Sequence, residues 1–155
     1  MFGHRMRIAA CLLAAAGAGV AIMAAAPAGP AGQTISYTES ETSDHAFNLG
    51  SGHGIAVGYV ELSANKLMQG GRQIGHDGAE CTITRLGGTA DSLCSVVDVF
   101  ARGQIDLAGL VPSTPQGPGT FQLAVVGGTG RYQDARGYAT VVPAQQPQVT
   151  IHLAG

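Results

Sequence analysis

Apolar and polar residues alternate with a period of two through much of the chain, which predicts short β-strands rather than helices. Residues 148–153 alternate strictly, and both faces of residues 54–64 are largely apolar, as in a barrel strand covered on both sides. Glycine pairs and the proline-rich residues 112–119 interrupt the runs, and the acidic residues 38–44 predict a solvated loop. About eight short strands at this spacing are typical of an all-β domain.

The remaining predicted strands are less regular. They comprise a first strand or flexible lead-in at 33–40, strands at 80–85 and 91–95, and a hairpin of 95–101 with 104–111. Glycines at 70–71 and 75–78 predict breaks on either side of a short segment. The final run can close the sheet against the first strand, and closure would remove the exposed strand edges that favour aggregation.

A β-hairpin predicted at residues 121–143 organises the rest of the chain. Two strand-like runs flank a connection that contains Gly127, Gly128 and Gly130, residues that tolerate positive φ. The same glycines begin a G-x-G-x-x-G phosphate loop, but Gln133 occupies the position of the third glycine and no helical pattern follows. The sequence therefore favours a turn between paired strands over a nucleotide site.

This hairpin resembles a segment of known proteins. The residues AVVGGTGRY at 124–132 and ARGYA at 135–139 resemble the segment shared by dirigent proteins and, more loosely, by the allene oxide cyclase barrel family. The resemblance implies an all-β fold, a closed antiparallel barrel of about eight strands with an apolar central cavity. It also implies a homo-oligomer, often a trimer, and a small apolar molecule as ligand.

The N-terminus has the pattern of a secretory signal peptide. Arg5 and Arg7 precede an apolar run at 8–26, which ends at the cleavage-like sequence Ala26-Pro27-Ala28. A retained membrane anchor is the alternative interpretation. The sequence thus predicts a signal peptide at 1–28, a polar lead-in with a possible first strand at 29–48 and the barrel at 49–155. It predicts a protein that is secreted, either released or associated with the cell surface, and has no membrane association after signal removal.

The charge of the mature chain argues against nucleic acid as a partner. Removal of Arg5 and Arg7 leaves six basic side chains against ten acidic ones, a formal charge of −4. No basic stripe is present that could neutralise phosphates. We expect no cofactor and no metal, because neither a serine-histidine-acid arrangement nor metal-ligand spacing appears in the sequence.

Two cysteines, Cys81 and Cys94, remain after the signal peptide. In an exported chain they most simply form a disulfide with each other, tying the end of one strand to the start of another. Closing a loop of this length stabilises a fold by about 3 kcal/mol on the chain-entropy model. A metal site or a nucleophilic thiol near His76 is the alternative.

Two charged residues are the catalytic candidates. Arg136 lies in the ARGYA segment, and the resemblance makes it a possible cation that polarises or orients an oxygenated substrate. A salt bridge to Asp134 is its alternative role. Glu61 shares a strand face with apolar residues, so we expect it to be partly buried.

The ligand-binding candidates are two tyrosines and two aspartates. Tyr59 shares a face with Glu61, and Tyr138 shares one with Arg136 if that segment is extended. Asp98 and Asp106 lie in the second predicted hairpin. If either faced the cavity, burial would raise its pKa and suit it to general acid work, whereas an exposed aspartate would be an ordinary solubilising charge.

Two functions of different classes fit the sequence. By resemblance, the barrel binds a small apolar, oxygen-bearing molecule and steers its cyclisation or stereoselective coupling, an isomerase-like or coupling-directing activity that needs shape more than reactive side chains. The alternative is a noncatalytic secreted barrel that carries a ligand or serves a structural or surface-interaction role. An open interior reached by charged groups would favour the first.

Overall fold

The computed structural model describes residues 32–50 and 53–155. Within these ranges the chain forms nine strands and one 3₁₀ helix: β1 (Gln33–Asn48), β2 (Tyr59–Gln69), β3 (Arg72–Leu86), β4 (Ala90–Phe100), β5 (Gly103–Thr114), β6 (Gly117–Pro118), β7 (Phe121–Gly128), the 3₁₀ helix η1 (Gly130–Tyr132), β8 (Gly137–Val142) and β9 (Gln148–Leu153). No helix in these two ranges has the length and apolar character to cross a bilayer. The signal peptide predicted at 1–28 lies outside the described residues.

The long strands close into a barrel. Each of β1, β2, β3, β4, β5, β7, β8 and β9 pairs antiparallel with the next, and β9 pairs back onto β1. The two-residue β6 pairs with the end of β5. Closure gives each of these strands a paired neighbour on both sides over part of its length, so the apolar alternation is buried on the inner face of a continuous cylinder. The predicted closed antiparallel barrel is confirmed.

Several predicted element boundaries are wrong. The acidic segment 38–44, expected to be a loop, continues β1 through a bulge between Glu41 and Ser43, because β2 pairs along its whole length. The lead-in predicted before residue 49 therefore contains a complete barrel strand. The glycines at 75–78 lie inside β3, and β2 begins at Tyr59 rather than at residue 54. β5 continues through Pro112, which lies beyond the residues of β5 that pair with β7.

The central hairpin forms as predicted, with β7 and β8 paired from Phe121 opposite Val141. Its connection contains η1, which brings Tyr132 against one end of the barrel, where Phe100 packs edge-on against it at 5.9 Å between ring centroids. Gly137 begins β8 with φ of +138°, and a Cβ at this position would collide with the carbonyl oxygen of His152. The chain can therefore leave the turn and enter the sheet only with glycine here.

The barrel interior is packed in layers that can be followed across the strands. The end of the barrel covered by η1 is filled by large side chains, with Leu67 and Ile105 both fully buried. Tyr37 packs above them, and its ring centroid lies 6.1 Å from that of Phe100. One end of the cylinder is consequently closed by core packing.

Candidate functional site

A polar layer lies directly above the packed end of the barrel. Asn65, Asp77 and Asp98 stand opposite one another on β2, β3 and β4. Asp98 is fully buried and Asp77 is 3% exposed. Because side chains alternate along a strand, the register that puts Cys81 and Cys94 inside the barrel also points these two aspartates inward. Like charges directly opposite on paired strands are destabilising, so the arrangement is characteristic of a functional site.

Each aspartate is only half satisfied by hydrogen bonds. The hydroxyl of Tyr37 donates to Asp98 Oδ2 at 2.5 Å. The backbone N–H and the Nδ2 group of Asn65 donate to Asp77 Oδ1 at 3.1 and 2.9 Å. The second oxygen of each carboxyl group, Asp77 Oδ2 and Asp98 Oδ1, is buried without a hydrogen-bond partner among the described residues. Two acceptors are therefore left for something other than these side chains.

Burial raises the pKa of every acidic group around this layer. Desolvation, with the charge of Asp77 nearby, raises the pKa of Asp98 to about 7, although the hydrogen bond from Tyr37 acts in the opposite direction. Glu39, on β1, has a pKa raised to about 8 by desolvation and by repulsion from Asp77 and Asp98. Desolvation also raises the pKa of Asp77, against the hydrogen bonds from Asn65. A carboxyl group whose pKa lies near neutrality can donate a proton in its protonated form and accept one in its ionised form.

A cavity of about 160 Å³ lies on this layer. The side chains of the next layer, Ser63, Ala79 and Val96, are small and leave the space open. Tyr37, Glu39, Asn65 and Asp77 line its polar part. Its apolar wall is formed by a larger set of residues on β4 to β9, among them Val96, Leu107, Phe121, Leu123, Val141 and Val149.

A second, larger space lies toward the other end of the barrel. This mouth chamber has a volume of about 420 Å³ and is lined by Tyr59, Glu61 and Cys81, among others. Cys81 lines both spaces, and it forms a disulfide with Cys94 across the directly paired strands β3 and β4. The predicted disulfide is confirmed, but it joins the middles of two adjacent strands and forms part of the cavity wall.

A family model described as the allene oxide cyclase barrel-like domain matches residues 33–153. The chain belongs to the allene oxide cyclase barrel-like family. The matched residues run from the first to the last residue of the closed cylinder, so the whole barrel is the family domain. No sequence among curated proteins matches this family member.

Solved structures share the fold of this cyclase-like barrel. A pyocyanin demethylase has a TM-score of 0.71 at 24% identity, over 79% of this chain and 100% of that chain. A pterocarpan synthase dirigent protein has a TM-score of 0.60 at 14% identity, over 79% and 92% of the two chains. A nonspecific heme-binding cyclase that catalyses a 4 + 2 cycloaddition during neoabyssomicin biosynthesis has a TM-score of 0.62 at 18% identity, over 79% and 65%. At these identities the likeness describes the fold alone.

The cyclase-like barrel places three of the sequence-predicted site residues on its inner side. Asp98 belongs to the polar layer and is buried, the condition under which the sequence predicts general acid work for it. Tyr59 and Glu61 line the mouth chamber instead of the inner cavity. Glu61 was expected to be partly buried, but it is exposed, because it borders the mouth chamber toward the open end of the barrel.

The other three lie outside the cavity. Arg136 is exposed in a surface cleft with Asp134 at the closed end, since it precedes β8 and lies in the turn. Tyr138 is 43% exposed and stacks on His152 on the outer face, with 4.7 Å between ring centroids. Asp106 alternates with the buried Ile105 and Leu107 and so points outward.

Sequence reasoning missed four residues of the cavity: Tyr37, Glu39, Asn65 and Asp77. Tyr37 and Glu39 share one strand face, which was detectable once 33–48 was taken as a single strand. Asp77 lies on the same face of β3 as Cys81, but the glycines on either side of Asp77 predicted a break in the strand there. Residues 32–50 and 53–155 contain no cluster of three His, Cys, Asp or Glu side chains able to hold a metal ion.

Proposed function

We propose that this family member binds a small, largely apolar, oxygen-bearing molecule inside the barrel and directs its cyclisation by proton transfer, or the stereochemistry of its coupling by confinement. The observation that carries the proposal is the acidic layer at the base of the cavity, where Asp77 and Asp98 each keep one buried carboxyl oxygen unpaired within the described chain. Keeping such groups buried costs stability, so they are expected to act on a guest.

Glu39 is the proposed general acid. It lines the cavity, and a pKa of about 8 keeps most of it protonated at neutral pH, so it can donate a proton to an oxygen of the guest. Asp77 also lines the cavity, and its Oδ2 has no hydrogen-bond partner among the described residues, which suits it to remove a proton. A positioned acid or base accelerates a reaction by about 10²- to 10⁴-fold.

The apolar wall supplies the second part of the mechanism. Phe121, Leu107 and Leu123 border the cavity opposite the polar layer and restrict how a guest can lie. Cyclisation and coupling depend on which conformer or face reacts, so confinement both accelerates the reaction and selects one product. The shared fold with a dirigent protein and with a cycloaddition cyclase supports this class of chemistry.

Export and self-association remain predictions. The disulfide of Cys81 and Cys94 fits an oxidising compartment, in agreement with the signal peptide expected at 1–28. N-terminal sequencing of exported protein would locate the cleavage site. Analytical ultracentrifugation would measure whether the expected homo-oligomer forms.

Turnover of a substrate panel tests the proposed function. The mature protein is incubated with polyene, phenolic and epoxide compounds, and product chirality is measured. Enantiomeric excess above the uncatalysed reaction is expected, with about 10²-fold or greater loss of rate in Glu39→Gln. Glu80→Gln, which changes an exposed carboxylate on the outer face of β3, is the matched control and should retain the wild-type rate. Tight binding of a panel member without turnover would support the carrier function instead.

A further inference from the structure

We propose that the molecule bound in this cavity carries a positively charged nitrogen in its ring, and that this charge lies against the carboxyl group of Asp77, which stands directly opposite Asp98 on the paired strand. The inference rests on the proposed function, because it names the class of guest for the same cavity. It depends on three observations: the charges around the cavity, the unpaired carboxyl oxygens and the size of the space.

The charges around the cavity are of one sign. Glu39 and Asp77 line it, and Asp98, which does not line it, stands directly opposite Asp77 in the same polar layer. None of the basic side chains in the described ranges lines the cavity. The nearest basic group along β3, His76, is exposed on the outer face and acts on Asp77 from behind the strand. The potential inside the barrel is therefore negative whenever any of the three carboxyl groups is ionised.

The unpaired oxygens point to a partner that can satisfy them. Asp77 lines the cavity, although only 3% of its surface is exposed. Its Oδ2 atom has no hydrogen-bond partner among the described residues. A neutral hydrocarbon guest would offer this oxygen no partner and leave it unpaired, which is costly for a carboxylate. A cation would compensate the same charge without needing a hydrogen bond in one fixed direction.

The size of the space limits the guest to one ring at this depth. A cavity of about 160 Å³ is close to the roughly 150 Å³ that accommodates benzene in an engineered apolar cavity. One ring bearing a cationic nitrogen fits between the apolar wall at Leu107 and Leu123 and the acidic layer. Substituents of a larger guest would extend toward the mouth chamber, which Cys81 separates from the inner cavity.

Binding of a cation should release protons. The ionisable groups that face Asp77 are Glu39 and Tyr37 on β1 and Asp98 on β4, with His76 acting from the outer face. With pKa values of about 7 and about 8, Asp98 and Glu39 are partly or largely protonated at pH 7. A cation against Asp77 favours the ionised form of its neighbour Asp98, which is about half protonated at pH 7, so about half a proton should leave for each cation bound.

An isosteric pair of probes tests the inference. N-methylpyridinium and toluene have nearly the same shape and differ in charge. Isothermal titration calorimetry at pH 7, in two buffers of different ionisation enthalpy, measures both affinity and proton release. We expect N-methylpyridinium to bind at least about tenfold more tightly than toluene and to release protons, and its affinity to fall as pH is lowered from 8 to 5. Toluene should show neither proton release nor this pH dependence.

Variants locate the cation. Asp77→Asn and Asp98→Asn should each reduce the preference for N-methylpyridinium about tenfold, whereas Glu80→Gln should leave it unchanged. Unchanged cation binding in both aspartate variants would overturn the inference, since the cation would then bind elsewhere. The comparison of the two probes on the wild-type protein requires no variant, so a folding defect in Asp77→Asn does not remove the test.

Failure of the inference differs from failure of the proposed function. If toluene binds in the cavity as tightly as N-methylpyridinium, with chemical-shift changes at Asn65 and Val96, the charge inference is overturned while the cavity remains a binding site. If neither probe shifts the resonances of these cavity residues, the inference and the proposed binding function are both overturned.

Discussion

Replacing Asp98 with asparagine should stabilise the barrel at high pH and leave it nearly unchanged at low pH. The substitution keeps the shape of the side chain and an oxygen that can accept from Tyr37, 2.5 Å away in the native pair. It removes the negative charge that a fully buried carboxyl group acquires when it ionises. The effect on stability should therefore follow the ionisation of one residue.

The magnitude follows from the pKa. Burial raises the pKa of Asp98 from 3.8 to about 7, so the folded protein holds this proton more tightly than the unfolded chain does. The stability from this group is fully present below pH about 4 and is lost as pH rises to about 7. A difference of roughly three units corresponds to about 4 kcal/mol at 1.36 kcal/mol per unit, an upper value for a group that relaxes when charged. We expect Asp98→Asn to gain at least about 2 kcal/mol over the wild type at pH 8.

Urea denaturation at pH 4, 6 and 8 measures this gain, and thermal melting should show an increase of about 8 °C at pH 8. Comparing the two proteins at each pH cancels the contributions of the other titrating groups, apart from those that interact with Asp98 itself. Asp106→Asn, on the outer face of the adjacent strand, removes a carboxylate that is not fully buried, so this control should lack the gain of about 2 kcal/mol at pH 8. Parallel stability curves for the wild type and Asp98→Asn would refute the reasoning.

Three further outcomes are expected. Tyr37→Phe should lower the free energy of unfolding by about 1.5–3 kcal/mol at pH 8 and by less at pH 5, because the ionised Asp98 carboxylate loses its hydrogen-bond donor. Urea denaturation at both pH values measures this loss. A loss of the same size at both values would contradict the assignment. Replacing Cys81 and Cys94 together with alanine should lower the free energy of unfolding by about 3 kcal/mol, whereas an unchanged urea midpoint would mean that the bridge contributes nothing. Gly137→Ala should cost more than about 2 kcal/mol, because φ is +138° and the new Cβ meets a backbone carbonyl. Gly78→Ala, where a Cβ would have nothing within 4 Å, should change stability by less than about 1 kcal/mol, and similar losses in both variants would contradict the steric argument.

The layered interior explains why binding space and acidity occur together. A packed layer closes one end, the acidic layer lies above it, and small side chains such as Ser63 and Ala79 leave space above the acids. Larger residues at these two positions would fill the cavity and bury the carboxyl groups of Asp77 and Asp98 under hydrocarbon. The small layer thus keeps the acids accessible to a guest.

The sequence by itself determined the class of fold. Period-two alternation and glycine punctuation predict an all-β chain, the hairpin at 121–143 and a last strand that joins the first, because a strand's two faces are recorded directly in its sequence. The two cysteines after the signal peptide likewise predicted their own pairing. The strands and the hairpin are predicted from residues close together in the sequence, and two cysteines allow only one intramolecular pairing.

Tertiary structure alone decided which face of each strand lies inside. Both faces of β4 carry valines, so the sequence pattern does not show whether Asp98 points inward. Pairing with β3 and β5 determines that the side chain of Asp98 lies inside the barrel. Asp77 sits among glycines, which favour a turn locally, yet closure of the barrel holds that segment in a strand. The register of each strand depends on its pairing with both neighbours around the barrel. This register places Asn65, Asp77 and Asp98 in one row.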